Sequence, residues 1–335
     1  MSKPVHKTPL DHLPIRVVAL YHFVEIAHPQ DLATTLEAIC RQQGIRGTLL
    51  LAHEGINGTV AGTPEAIAVL SDALDEMISG PRMEIKYSAA AEMPFRRLKV
   101  KVKPEIVTMG VEDINPSIHA GTYVDAHDWN DLISDPDTIV IDTRNDYEVA
   151  IGSFSGAINP NTTSFSEFPK WLEDQKQIWE AKGRKPKLAM FCTGGIRCEK
   201  STAFAKRIGL DEVFHLKGGI LRYLEDIPPE QSRWEGDCFV FDERVAVGHG
   251  LSLTDYQLCH ACRVPLSAED RQHPAYEPGI SCSHCLDSLT EDKRRRFAER
   301  QKQIALAKAR GVEHLGDAYS TGQIKVKTPS ASKEK

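Results

Sequence analysis

The stretch "KPKLAMFCTGGIRCEKSTAFAKRIGL", residues 185–210, decides how the centre of this chain folds. Its apolar run through Phe191 reads as a buried strand, Gly194 and Gly195 as a tight loop, and "RCEKSTAFAKRIGL" as a helix. Cys192 therefore sits at the carboxyl end of a strand and just before a helix. To either side, "DTIVIDTR" (137–144) and "EVFHL" (212–216) are further strands, and "NDYEVAIG" (145–152) starts a helix. Strands alternating with helices imply a parallel sheet covered on both faces, whose ligands bind beyond the carboxyl ends of the strands.

A strand-to-helix loop aims backbone N–H groups inward, so Thr193, Gly194, Gly195 and Ile196 form an anion cradle around Cys192. Helix N-termini and nearby cations lower a thiol pKa, and Arg197 is close in sequence. A phosphate loop, a metal knuckle and a reactive-sulfur loop are the competing functional readings, beside a merely buried cysteine. Cysteine-dependent phosphatases use Cys-x5-Arg, whereas Cys192 to Arg197 is one residue shorter, a size matched to a persulfide. A metal knuckle needs ligands two to four apart and more of them nearby. The loop reads as sulfur chemistry, with Cys198 as a possible resolving thiol.

The rest of the chain supplies a setting. Its 335 residues are enough for two or three domains, and 26% charged against 41% hydrophobic residues predicts a soluble protein without a membrane span. The N-terminus lacks the apolar core of a secretory signal, so a cytoplasmic location is expected. Eight cysteines, six of them in close pairs, point to metal or thiol chemistry rather than a disulfide scaffold.

Residues 1–110 read as strand, helix, strand, strand, helix, strand, the split order of ferredoxin-like (acylphosphatase-like) α+β domains. The helices are "PQDLATTLEAICRQQG" (29–44) and "TPEAIAVLSDALDEMI" (63–78), the latter with Thr63 as N-cap and Pro64 at its first position. Asn57-Gly58 is a strong hairpin dipeptide and predicts the turn between the middle strands. In "RRLKVKVKP" (96–104), Arg97, Lys99, Lys101 and Lys103 share one parity and Leu98, Val100 and Val102 the other. Period-two geometry thus projects four cations from one face. This is either a polyanion strip for nucleic acid, with Phe95 and Tyr87 available to stack on bases, or a lysine-protected edge strand.

Residues 121–230 form the α/β domain of the loop, and 231–290 a Cys-rich module. There Cys259-x2-Cys262, nineteen residues, then Cys282-x2-Cys285 has the spacing of a four-cysteine zinc site. Disulfides or free thiols are the alternative, and His260 and His284 are either bystanders or substitute ligands. Residues 291–335 carry twelve Lys/Arg against six Asp/Glu in an otherwise acidic chain of net charge -6. They read as a basic helix, with Phe297, Ile304 and Leu306 as its apolar contacts and Gly311 as its stop, followed by a disordered tail after about Gly316. A solvated surface helix is the bland reading.

"VIDTRNDYEVAIGSFSGAINP", "MFCTGGIRCEKS" and "HLKGGI" resemble the successive signatures of a rhodanese domain. Two departures stand out: Ser153 replaces a histidine often found there, and Cys198 replaces a serine. With "AHEGINGTVAG", "MPFRRLKVKVKPEIVTMG" and the paired C-terminal cysteines, the chain resembles the bacterial tRNA uridine(34) hydroxylase family from about Val17 to Leu315. The resemblance implies oxygen-dependent 5-hydroxylation of the wobble uridine, molecular oxygen as co-substrate and tRNA as partner. It also implies that Cys192 is a persulfide-capable catalytic residue. A sulfurtransferase acting on a small molecule or on tRNA is the chief rival, and a noncatalytic RNA-binding or redox adaptor the third reading. Neither a GxGxxG nucleotide motif nor an iron facial triad is evident.

Overall fold

The computed structural model describes residues 13–78 and 83–310. The first unit runs β1 (Ile15–Phe23), α1 (Pro29–Gln42), β2 (Arg46–Ala52), β3 (Gly55–Gly62), α2 (Pro64–Met77), β4 (Glu84–Ala90) and β5 (Leu98–Val102). The strands form one sheet in the order β4-β1-β3-β2-β5, antiparallel except that β5 runs parallel to β2 at the edge. The expected split order of four strands and two helices is present, with the cationic strand added outside it. Thr63 caps α2 through Ala66 N, with Pro64 following.

The two helices cover one face of this sheet. Val18, Leu20, Leu49, Leu51, Ile56 and Val60 pack there against Leu36, Cys40, Ile67, Leu70 and Leu74, and Leu98 and Val100 of β5 join them. Strand alternation then sends Tyr21, Thr48, Asn57, Thr59 and Lys86, with the Arg97 to Lys103 series, to the uncovered face.

The Asn57-Gly58 turn is not where the dipeptide suggested. The chain reverses at His53–Glu54, and Asn57 and Gly58 lie within β3 opposite Leu50 and Leu49. Close approach, not a turn, explains the glycines. A Cβ on Gly58 would stand 2.2 Å from Thr48 O, and one on Gly55 would stand 1.9 Å from His22 O.

The second unit contains α3 (Pro116–His119), β6 (Thr122–Val124), α4 (Ala126–Ser134), β7 (Thr138–Asp142), α5 (Asp146–Val149), β8 (Gly152–Phe154), α6 (Phe168–Ala181), β9 (Lys187–Phe191), α7 (Ile196–Arg207), β10 (Val213–Leu216) and α8 (Gly219–Asp226). Its main sheet has the order β6-β10-β9-β7 and is parallel throughout, as alternating strands and helices predict. Apolar clusters lie on both of its faces: Ile141, Phe168, Leu172 and Phe204 on one, Trp129, Phe191, Ile220 and Tyr223 on the other.

Beyond it, β11 (Trp234–Gly236) pairs with β8, and β12 (Cys238–Phe239) with β13 (Ala246–Val247). The Cys-rich segment has one small ribbon, β14 (Gln257–Leu258) with β15 (Pro265–Leu266), and its buried cluster consists of Cys259, Cys282, Cys285 and Leu266. So small a core suits a module that depends on a metal. The final helix, α9 (Glu291–Ala309), is fastened by Arg300, which donates to His260 O at 3.0 Å and Gly279 O at 2.8 Å. Phe297 and Ile304 are half-buried as expected, but Leu306 is exposed and Ala307 is the buried residue instead. Gly311 and the tail lie outside the described residues.

Candidate active site

Cys192 leaves the end of β9 and its loop curls over the start of α8. Ile220 N and Leu221 N donate to Cys192 O and Thr193 O at 3.0 and 3.1 Å. Gly219 is required beneath this crossing, because a Cβ there would stand 2.5 Å from Cys192 O and 2.7 Å from Thr193 O. Gly195, at φ 106°, turns its N–H onto the sulfur at 3.1 Å. The loop is therefore a cradle of N–H groups around Sγ, built on two left-handed glycines.

Arg197 faces away from solvent. It forms a bidentate pair with Glu148, at 2.8 and 2.7 Å, and the pair is buried. Glu148 in turn accepts from Asn145 N and lies near Thr193 Oγ1. Burial works against the Glu148 charge, while Arg197 and then Arg144 hold its carboxyl below the usual range. Arg144 itself is buried, bidentate to Asp142 and hydrogen-bonded to Glu148 O and Gly152 O. Ser153, where a histidine is common in rhodaneses, donates to Asp142 at 2.8 Å, so this position serves the brace and not the loop.

The two loop thiols are pulled in opposite directions. Burial opposes the Cys192 charge, but the Cys198 thiol, Arg197 and the N–H groups of Cys198 and Gly195 bring Cys192 down to about 5. Burial, followed by the neighbouring Cys192, pushes Cys198 well above its ordinary value. Cys198 has no solvent exposure and its sulfur lies 3.6 Å from Thr143 Oγ1. The surroundings thus favour the charged form at Cys192 and the protonated form at Cys198.

The loop opens onto the uncovered face of the N-terminal sheet, across a cavity of about 520 Å³. Cys192, Thr193, Gly194, Ile196 and Arg197 form one wall, and Tyr21, Thr48, Asn57, Thr59 and Lys86 the other. Phe95, Lys103 and the exposed Phe241 edge it. Tyr87 does not line it. Contacts from the loop and from side chains of its helix fix the two walls together. Tyr21 Oη donates to Glu199 at 2.9 Å, and Lys86 Nζ to Gly194 O at 2.8 Å. Lys200, 2% exposed, is held by Glu54 at 2.8 Å, Glu105 at 2.6 Å and Val107 O. Sequence reading singled out none of Tyr21, Lys86, Glu148, Glu199 or Lys200 for the site. Apart from Arg144 and Asn145, which neighbour Glu148 in sequence, their partners are between 45 and 178 residues away along the chain, although "CEKS" directly after the loop was a signal.

A family model described as the UPF0176 acylphosphatase like domain matches residues 15–106, and one described as the rhodanese-like domain matches residues 125–226. Curated proteins match almost end to end. A tRNA uridine(34) hydroxylase of Rhizobium leguminosarum bv. trifolii is 57% identical over 303 residues, covering 90% of this chain and 97% of its own length. One of Mesorhizobium japonicum is 58% identical over 304 residues, with the same coverage. The chain belongs to the tRNA uridine(34) hydroxylase family. A third family member, from Gluconobacter oxydans, is 57% identical over 303 residues.

The second cysteine group is assembled as its spacing predicted. Sulfurs of Cys259, Cys262, Cys282 and Cys285 all lie within 4.8 Å of one another, and Cys282 is 3.7 Å from both Cys262 and Cys285. Four thiolates at about 2.3 Å from a tetrahedral zinc stand at about this mutual separation, so the donor set fits the ion. The cluster contains neither His260 nor His284. Among the described residues no helix is long and apolar enough to cross a membrane.

Proposed function

We propose that this protein hydroxylates C5 of uridine 34 in tRNA in the cytoplasm, with the base held in the inter-domain cavity against Cys192. The observation that carries this reading is a buried cysteine in a cradle that favours its thiolate, facing a cavity of about 520 Å³ with room for a base, in a chain of this family. Residues 1–110 supply the tRNA-facing sheet, with Arg97, Lys99, Lys101 and Lys103 meeting phosphates. Residues 121–230 supply the loop, 231–290 a zinc-stabilised module, and 291–335 a basic helix and tail. Hydroxylation takes one oxygen atom of molecular oxygen to C5, and the other leaves as water with two electrons and two protons from a reductant.

In this reading Cys192 is the catalytic thiol. Thr193, Gly194, Gly195 and Ile196 stabilise negative charge on it or on a persulfide, and Arg197 acts through Glu148 to keep the loop closed. Cys198 resolves a persulfidated Cys192 once it gives up its proton: its sulfur bonds to the Cys192 sulfur, the bond to the outer sulfur breaks, and that sulfur leaves as hydrosulfide. Zinc on Cys259, Cys262, Cys282 and Cys285 is structural: four protein ligands leave no open position for substrate.

The test is mass spectrometry of tRNA nucleosides from reactions run under isotopically heavy oxygen gas. Label at uridine 34 is the expected result. Sulfur in its place, with no label, would replace hydroxylation by the sulfurtransferase reading, which the rhodanese-type loop also fits.

A further inference from the structure

A second concavity, of about 800 Å³, adjoins the cavity. The two share Thr48, Phe95, Val240, Phe241 and Asp242, so these residues stand between them as a common wall. Phe241 is 59% exposed, unusual for so large an apolar ring, and its edge is braced against Phe239 with centroids 5.1 Å apart. It stands as a solvent-facing aromatic surface.

Charge in this groove is one-sided once pairs are taken out. Glu243 is bound by Arg96, at 3.0 and 3.3 Å, and Asp242 by Arg244, at 2.9 Å to one oxygen. Arg97, Lys99 and Arg263 also line it, and among the described residues no carboxylate forms an ion pair with them. They come from distant parts of the chain: Lys99 from the edge strand β5, Arg97 from the residue before it, and Arg263 from the first cysteine knuckle. Arg263 has φ 73°, in a turn closed by its own N–H to Cys259 O at 2.7 Å, so the knuckle geometry aims it. The three cations crowd one another. Lys99 is pulled below its ordinary value by burial and then by Arg97, Lys101 and Arg263. A polyanion entering here would relieve that repulsion.

We propose that this groove binds the single-stranded RNA flanking the target nucleotide, with a neighbouring base stacked on Phe241 and its phosphates on Arg97, Lys99 and Arg263. Exposed aromatic rings beside a cationic track are the means by which proteins hold unpaired nucleic acid without reading its sequence. The wall between groove and cavity then separates the neighbouring base from the one presented to Cys192. The proposal deepens the function given above and rests on it for the identity of the RNA.

The test uses the full, metal-containing protein and an anticodon stem-loop RNA with uridine at position 34, with affinity read by fluorescence anisotropy across a salt series. Phe241→Ala is expected to weaken binding roughly 5- to 150-fold, the range for one stacked base, with the salt dependence kept. Phe241→Trp should restore it, which separates stacking from a folding defect. The triple variant Arg97→Gln, Lys99→Gln, Arg263→Gln should lower the log-log salt slope by about 2, at about 0.7 per lost contact on single strands. Unchanged affinity and slope in both variants would overturn the groove while leaving hydroxylation by the wild type intact. Weakened binding in the variants as expected, beside a wild type that adds no oxygen to uridine, would keep the groove and remove the hydroxylase reading.

Discussion

The chain holds two groups of thiols whose chemistry is opposite for reasons outside the cysteines themselves. Around Cys192 the partners are N–H groups, Arg197 and one protonated thiol, so a single sulfur carries charge and stays unshared. At Cys259, Cys262, Cys282 and Cys285 the partners of each sulfur are three other sulfurs, an arrangement suited to a cation at their centre. Both groups are largely buried, so burial alone does not separate a reactive thiol from a structural one. Count and polarity of the neighbours do.

The sharpest break between the groups is functional. Cys192→Ala should lower hydroxylation of tRNA by roughly a thousandfold or more, as loss of a catalytic nucleophile does, with the melting transition close to wild type near pH 5, where the thiolate adds little stability. Cys282→Ala should instead remove the bound metal, read by elemental analysis, which is expected to find about one zinc per chain in the wild type. Chelation of that metal should unfold the Cys-rich module yet leave alkylation of Cys192 unchanged. Arg197→Ala should destabilise the fold by about 3–5 kcal/mol, because Glu148 would be left charged and buried, and thermal or denaturant unfolding measures it.

The pH dependence sharpens the same contrast. The Cys192 pKa is depressed from 9.0 to about 5 on folding. Its stabilising contribution is therefore complete above about pH 9 and is lost as pH falls towards 5. Iodoacetamide labelling at Cys192 should keep its rate down to that lower value and then fall about tenfold per pH unit. The smallest effect is expected for Cys198→Ala, which should slow repeated turnover more than the first turnover, as a single-turnover assay would reveal.

Much of this was legible from residue order. The loop, its flanking strand and helix, the split order of the first domain and the four-cysteine spacing are all local patterns, set by hydrogen-bonding geometry within a few residues. Parity along Arg97 to Lys103 likewise placed the cations on one face, because period two is a property of any strand. Asn57-Gly58 misled for the same reason. The dipeptide favours a turn in isolation, but pairing with β1 and β2 on both sides holds it extended, and Gly58 is needed where the strands crowd.

What only the tertiary structure decided is which faces meet. No periodicity in the sequence indicates that the uncovered side of the N-terminal sheet closes over the Cys192 loop, or that Glu199 and Lys200 are the side chains that tie it there through Tyr21, Glu54 and Glu105. Nor does it bring Arg263 to the groove of Arg97 and Lys99. Secondary structure follows from neighbours along the chain, whereas a cavity between domains depends on complementary charge and shape among residues far apart in sequence, and those are fixed only when the domains pack.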